Sequence, residues 1–272
     1  MMWPESKRLN IWVFVSFLCI GCLHGDGHRE LRAAEALVKK ERFVEALSRY
    51  DRVIKRYQGE NVALQAARHA SRISVYNLKD YASAINHYRY IVLHSTDERE
   101  RFEAQNEIAN VYYELLADYE QAIVEYSRLL QVTKEEKEKI HFRKLIARSY
   151  FFRKNFFQAE TEINQINKSG LDEENVYDIL FFRANIKMAT KNIAEAIEIL
   201  SDLLERYPER AHKDNVALHL AICYEEKENF ARAIEVLDSL RPESGETDYI
   251  GDQIKRLKQR QSFLPGAKGL TK

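Results

Sequence analysis

The 272-residue sequence predicts an all-α chain: a solenoid of about six stacked helix pairs, closed by a C-terminal capping helix. Three observations predict it. An alanine recurs at Ala46, Ala84, Ala122, Ala159, Ala196 and Ala233, at spacings of 38, 38, 37, 37 and 37 residues. Around each, large apolar residues stand three places before and four and seven places after; around Ala122 they are Tyr119, Tyr126 and Leu129. Those offsets trace one face of an α-helix. The chain also holds only 4 Pro and 9 Gly, few for a β-protein of this length and compatible with long helices.

The N-terminus is of another kind. Lys7 and Arg8 precede Ile11–Ile20, ten mostly apolar residues. As a helix this run spans about 15 Å, half of a hydrocarbon core of about 30 Å, so it reads as a secretory signal and not as a membrane span. The following "LCIGC", Leu18 to Cys22, resembles a bacterial lipobox, with Cys19 where leucine is usual. The resemblance implies a signal peptide over 1–21, cleavage before Cys22 and lipidation of the Cys22 thiol. Because Leu23 and not an aspartate follows, it also implies the periplasmic face of the outer membrane. Residues 22–29, "CLHGDGHR", are expected to form a short tether. His24 and His28 would suit a metal on a helix, but Gly25 and Gly27 argue against helix there, so no metal site is expected. Of the three cysteines, Cys223 alone would stay free, which leaves no intramolecular disulfide.

Each pair needs a first helix before its alanine-marked second helix. A small residue twelve places upstream supplies it at Ala34, Ala147, Ala184 and Ala221. In the third unit Ala109 stands thirteen upstream of Ala122, a one-residue insertion. In the second unit, "ARHASRISVYNLKDYASAINHY", the register stays open. The expected repeats span about 30–60, 61–98, 99–134, 135–170, 171–209 and 210–243. A capping helix over 246–264 places Ile250, Ile254 and Leu257 on one face, and the tail 265–272 has nothing to pack. One helix pair cannot cover its own apolar face, so the units must stack.

The small residue, the aromatic three places later and the alanine of the second helix resemble the tetratricopeptide repeat. The resemblance extends over about 30–240. The family's tryptophan is absent, and its closing proline occurs only as Pro208. It implies a right-handed superhelix whose first helices line a concave groove. Carried over position by position, the groove residues are Asn106, Asn110 and Tyr113 in the third unit, Lys144, Arg148 and Phe151 in the fourth, and Phe181, Asn185 and Met188 in the fifth. Amides suit a peptide backbone, cations a carboxylate, and rings apolar side chains. The rings read equally well as packing between units, whereas Lys144 and Arg148 are not needed for packing.

Lys+Arg and Asp+Glu balance at 42 each, and signal removal shifts the balance by a single charge. That is not the electrostatic footprint of a nucleic-acid binder. No glycine-rich phosphate loop or HExxH occurs. The expectation is a scaffold and not an enzyme: protein or peptide partners, a lipid-anchored membrane association, and no cofactor, metal, nucleic acid or small-molecule substrate. The layout resembles tetratricopeptide lipoproteins of the bacterial envelope, such as that of the β-barrel assembly machinery. This implies a role in outer-membrane or envelope assembly. Alternatives are a cell-wall, secretion or motility coordinator, or an enzyme accessory subunit.

Overall fold

The computed structural model describes residues 26–166, 171–240 and 247–263. The expected signal segment, Cys22, His24 and the expected tail 265–272 lie outside the described residues. All regular structure among the described residues is helical. The chain divides into two compact units at the Val132–Thr133 step.

The first unit holds α1 (26–38), α2 (Phe43–Arg56), α3 (Asn61–Ile73), α4 (Tyr81–His94), α5 (Glu98–Asn110) and α6 (Tyr119–Val132). Ala34 and Ala46 are fully buried in one core with Tyr50, Val53 and Ile73. Ala84, Tyr88 and Ile91 share the next core with Ala104 and Ile108. Burying a side chain of this size contributes about 1.5–3 kcal/mol. α1 begins at residue 26, which corrects the expected tether: Asp26–Arg29 are helical, and His28 with them. Gly27 is no helix breaker here. A Cβ on it would meet Val62 Cγ1 at 3.2 Å and the Tyr57 ring at 3.3 Å, so the missing side chain lets α1 approach closely.

The second unit holds α7 (Glu136–Phe152), α8 (Phe156–Asn164), α9 (Glu173–Ala189), α10 (Ile193–Arg206), α11 (Pro208–Lys213), α12 (Val216–Glu226), α13 (Phe230–Asp238) and α14 (Thr247–Ser262). Tyr177, Ala184, Ala196, Leu200 and Leu203 form one core with Val216 and Cys223. Burial pushes the Cys223 thiol up to about 11, which keeps it protonated and inert. The capping helix α14 buries Ile254 and Leu257 against Phe230, Ala233 and Leu237. The sixth first helix is broken. Asn215 adopts φ +54° between α11 and α12. Pro208 directly follows Tyr207, the C-cap of α10, and stands at the first position of α11, where its missing N–H leaves no partner wanting.

Each turn from first to second helix is made the same way. A left-handed residue stands five places before the marker alanine: Glu41, Lys79, Ala117, Lys154, Lys191 and Glu228, with φ between +50° and +62°. Then comes Asp or Asn in every unit but the first. Asp80, Asp118 and Asn229 accept the N–H of Ser83, Gln121 and Arg232, capping the second helix. None of the six left-handed residues is glycine. Ala117 is exposed, and the left-handed form costs an L-residue about 1–2 kcal/mol. Glycine gives back about 0.4–1 kcal/mol of that through its looser unfolded chain. Ala117→Gly should therefore stabilise the protein by about 0.5–1 kcal/mol, read from the urea midpoint by circular dichroism. A lower midpoint contradicts this.

The inserted residue of the third unit becomes a π-helical turn, Val111–Leu115, at the end of α5. A second one, Ser74–Leu78, ends α3. In these two turns the N–H of Asp80 and Asp118 reaches back six residues, to Ser74 O and Tyr112 O at 2.8 Å. The equivalent bond elsewhere spans five, as from Asn155 to Tyr150 at 2.9 Å. The open register of the second unit is thereby fixed. Ser71, 1% exposed and thirteen places before Ala84, is its small residue. An extra residue in a helix is absorbed as such a bulge, a feature common at functional sites.

Candidate functional site

The nine sequence-predicted groove residues fall into three groups. Tyr113, Phe151, Phe181 and Met188 pack. Tyr113 meets Tyr119 and Tyr126 edge-on, at 5.8 and 6.1 Å between centroids. Phe151 meets Phe156 and Phe182 edge-on, at 5.3 and 5.5 Å, and so joins α7, α8 and α9. Phe181 lies against Tyr177 and His219, and Met188 against the core of the second unit.

A second group is tied by polar contacts. Asn110 accepts a hydrogen bond from the Tyr126 hydroxyl at 2.9 Å. Lys144 Nζ donates to Asp178 Oδ2 at 2.6 Å and to Asn175 Oδ1 at 2.9 Å. Asp178 also accepts from Arg210 Nη2 at 2.6 Å, and that guanidinium stands 4.3 Å above the Tyr177 ring. Lys144 is thus a tie between the first helices of consecutive repeats and is not available as a free cation.

The third group is open. Asn106 and Asn185 are half-buried, and Asn106 Oδ1 has no hydrogen-bond partner among the described residues. Arg148 is exposed and makes no hydrogen bond or ion pair among them. It shares a helical face with His141 and Lys144. Desolvation and these two cations hold the His141 imidazole below its usual value, so it is neutral at pH 7 and Arg148 is left as the open charge of this face.

Residues missed from sequence lie in the second repeat. With Ser71 as its small residue, Arg68 and Arg72 take the places of Lys144 and Arg148. The parallel extends to chemistry. Arg68 Nη2 pairs with Glu100 Oε2 at 2.9 Å on the next first helix, as Lys144 does with Asp178, while Arg72 is exposed and makes no such contact among the described residues. The signal was the thirteen-residue spacing that Ser71–Ala84 shares with Ala109–Ala122. No group of three His, Cys, Asp or Glu able to hold a metal occurs among the described residues. No helix among them is long and apolar enough to cross a membrane.

Residues 187–250 match the family model described as tetratricopeptide repeat. Among solved structures the chain is similar to a tetratricopeptide repeat protein from Parabacteroides merdae, at 17% identity and a TM-score of 0.53 over 86% of each chain. It is similar to PilW, a widely conserved type IV pilus biogenesis factor, at 13% identity and a TM-score of 0.53 over 84% of this chain and 98% of that one. The Naa15/Naa10 structure bound to HypK gives 14% identity and a TM-score of 0.63 over 90% of this chain, which spans 35% of that one. At these identities the likeness is one of fold. No curated protein matches the sequence.

Proposed function

We propose that this chain, a tetratricopeptide-repeat protein, is a membrane-anchored scaffold that holds a protein or peptide partner on the exposed faces of its first helices, in the bacterial envelope. The carrying observation is Arg148. Neighbouring cations of the second unit are tied: Lys144 to Asp178, Arg143 to Glu162 and Lys187 to Glu160. Arg148 is held by none of the described residues. A guanidinium kept exposed on a preformed helix binds a carboxylate at little ordering cost. Charge reversal at Arg148 leaves the core untouched and should weaken partner capture roughly tenfold or more. A photo-crosslinker at Asn185 should give discrete adducts in cells that Arg148→Glu removes while helicity persists. Adducts of undiminished yield remove Arg148 from the binding face.

The anchor rests on "LCIGC" at Leu18–Cys22. Each acyl methylene buried in the bilayer contributes about 0.8 kcal/mol, and several chains make the attachment stable. Cys22→Ala should move the protein from the membrane fraction to the soluble one. Continued sedimentation with membranes means that Cys22 is not the anchor.

A further inference from the structure

The first unit carries a cleft of about 430 Å³ between α3 and α5, lined by none of the groove residues expected from sequence. Arg68 and Glu100 close one part of it as a bidentate pair, with Ser95 also donating to Glu100, so this part carries no net charge. Tyr88, mostly buried, lies on the floor. Tyr76 stands on the wall, 70% exposed, within the π turn Ser74–Leu78. Glu107, half-buried, lines the same cleft, and its carboxyl makes no hydrogen bond or ion pair among the described residues.

Glu107 is the group left wanting. Burial, and then the neighbouring Glu114, push its carboxyl above the usual range. A carboxylate there bears a desolvation penalty that no protein donor relieves. An anion seated at Glu107 would worsen this, and an apolar group there would leave it standing. A cation relieves it, and Tyr76, exposed on the wall of the same cleft, offers that cation an aromatic ring. A bare metal ion is a poor fit, since no three potential ligands cluster among the described residues. Arg72, at the exposed rim, remains free to donate to backbone carbonyls.

We propose that this cleft receives a basic side chain, arginine or lysine, from an extended segment of a protein partner. Glu107 is its counter-charge and Tyr76 its aromatic wall. The inference rests on the scaffold reading and adds a charge preference specific to the first unit. The π turn ending α3 is then part of the site, because the inserted residue sets where Tyr76 stands.

The test uses the full chain and fluorescent peptides of Gly, Ser and Asn bearing one central arginine, its neutral isostere citrulline, or glutamate. The arginine peptide should bind roughly tenfold more tightly than the citrulline peptide, and the glutamate peptide more weakly than both. Glu107→Gln, which keeps the shape, should abolish the preference with helicity unchanged. Tyr76→Leu should reduce it by about two- to fivefold. Equal binding of arginine and citrulline peptides overturns the inference while leaving the scaffold reading standing. So does a preference that survives Glu107→Gln. Failure of every peptide to bind counts against both.

Discussion

Ala196→Glu should abolish cooperative unfolding of the second unit. Ala196 is 0% exposed, and so is Ala184 on the facing helix, α9. Both lie in the core with Tyr177, Leu200 and Leu203. Two small residues at the crossing let α9 and α10 approach closely. A glutamate side chain there must either displace α9 or bury a carboxylate with no partner. Either outcome costs about 4 kcal/mol or more, against a typical total stability of about 5–15 kcal/mol. Urea denaturation followed by circular dichroism should show a lost or strongly shifted transition. Hydrogen exchange should locate the loss in α9 to α13, because stacked repeats depend on their immediate neighbours. A loss below about 1 kcal/mol means that these alanines do not mark helix crossings.

The alanine periodicity was legible because each second helix has one buried face and one wet face. Residues four places after the alanine, Tyr50, Tyr88, Tyr126, Ile163, Leu200 and Leu237, are all buried. The first helices were less legible, α3 least of all. Its Ala63, Ala66, Ala67, Ala70 and Ser71 are all buried, and it packs on both α2 and α4. A helix covered on two sides by small residues has no single apolar stripe, and a one-residue insertion then shifts what pattern remains. The left-handed turns were invisible for a different reason. Glu41, Lys79, Ala117, Lys154, Lys191 and Glu228 share a position and a backbone angle but no side-chain chemistry. Only the Asp or Asn that follows all but the first leaves a trace. In the candidate site, the sequence named Lys144 as a cation on a groove-lining helix. Its fate was decided by Asp178, 34 residues away on another helix. Arg72 could not be named until the place of Ser71 was known.

That carboxylate supports the other large expected effect. Asp178 receives Lys144 and Arg210 at once, each at 2.6 Å, with its own side chain 20% exposed. Asp178→Ala leaves Lys144 with no counter-charge and Arg210 with only Asp214, at 3.7 Å. Breaking a fully buried pair costs about 3–5 kcal/mol; water reaches this network, chiefly at Arg210, so about 2–3 kcal/mol is expected. Lys144→Met is the informative partner. It removes one cation of two, leaves Asp178 paired with Arg210, and keeps most of the aliphatic stem, so its effect should stay within about 1 kcal/mol. The order matters more than either value. If Asp178 is the tie between the first helices α7 and α9, its loss must exceed that of Lys144 in urea denaturation. Added salt should narrow the gap by screening the exposed cations. Equal losses would mean that apolar contacts such as Phe151 on Phe182 hold these helices together, and that the carboxylate merely occupies their edge.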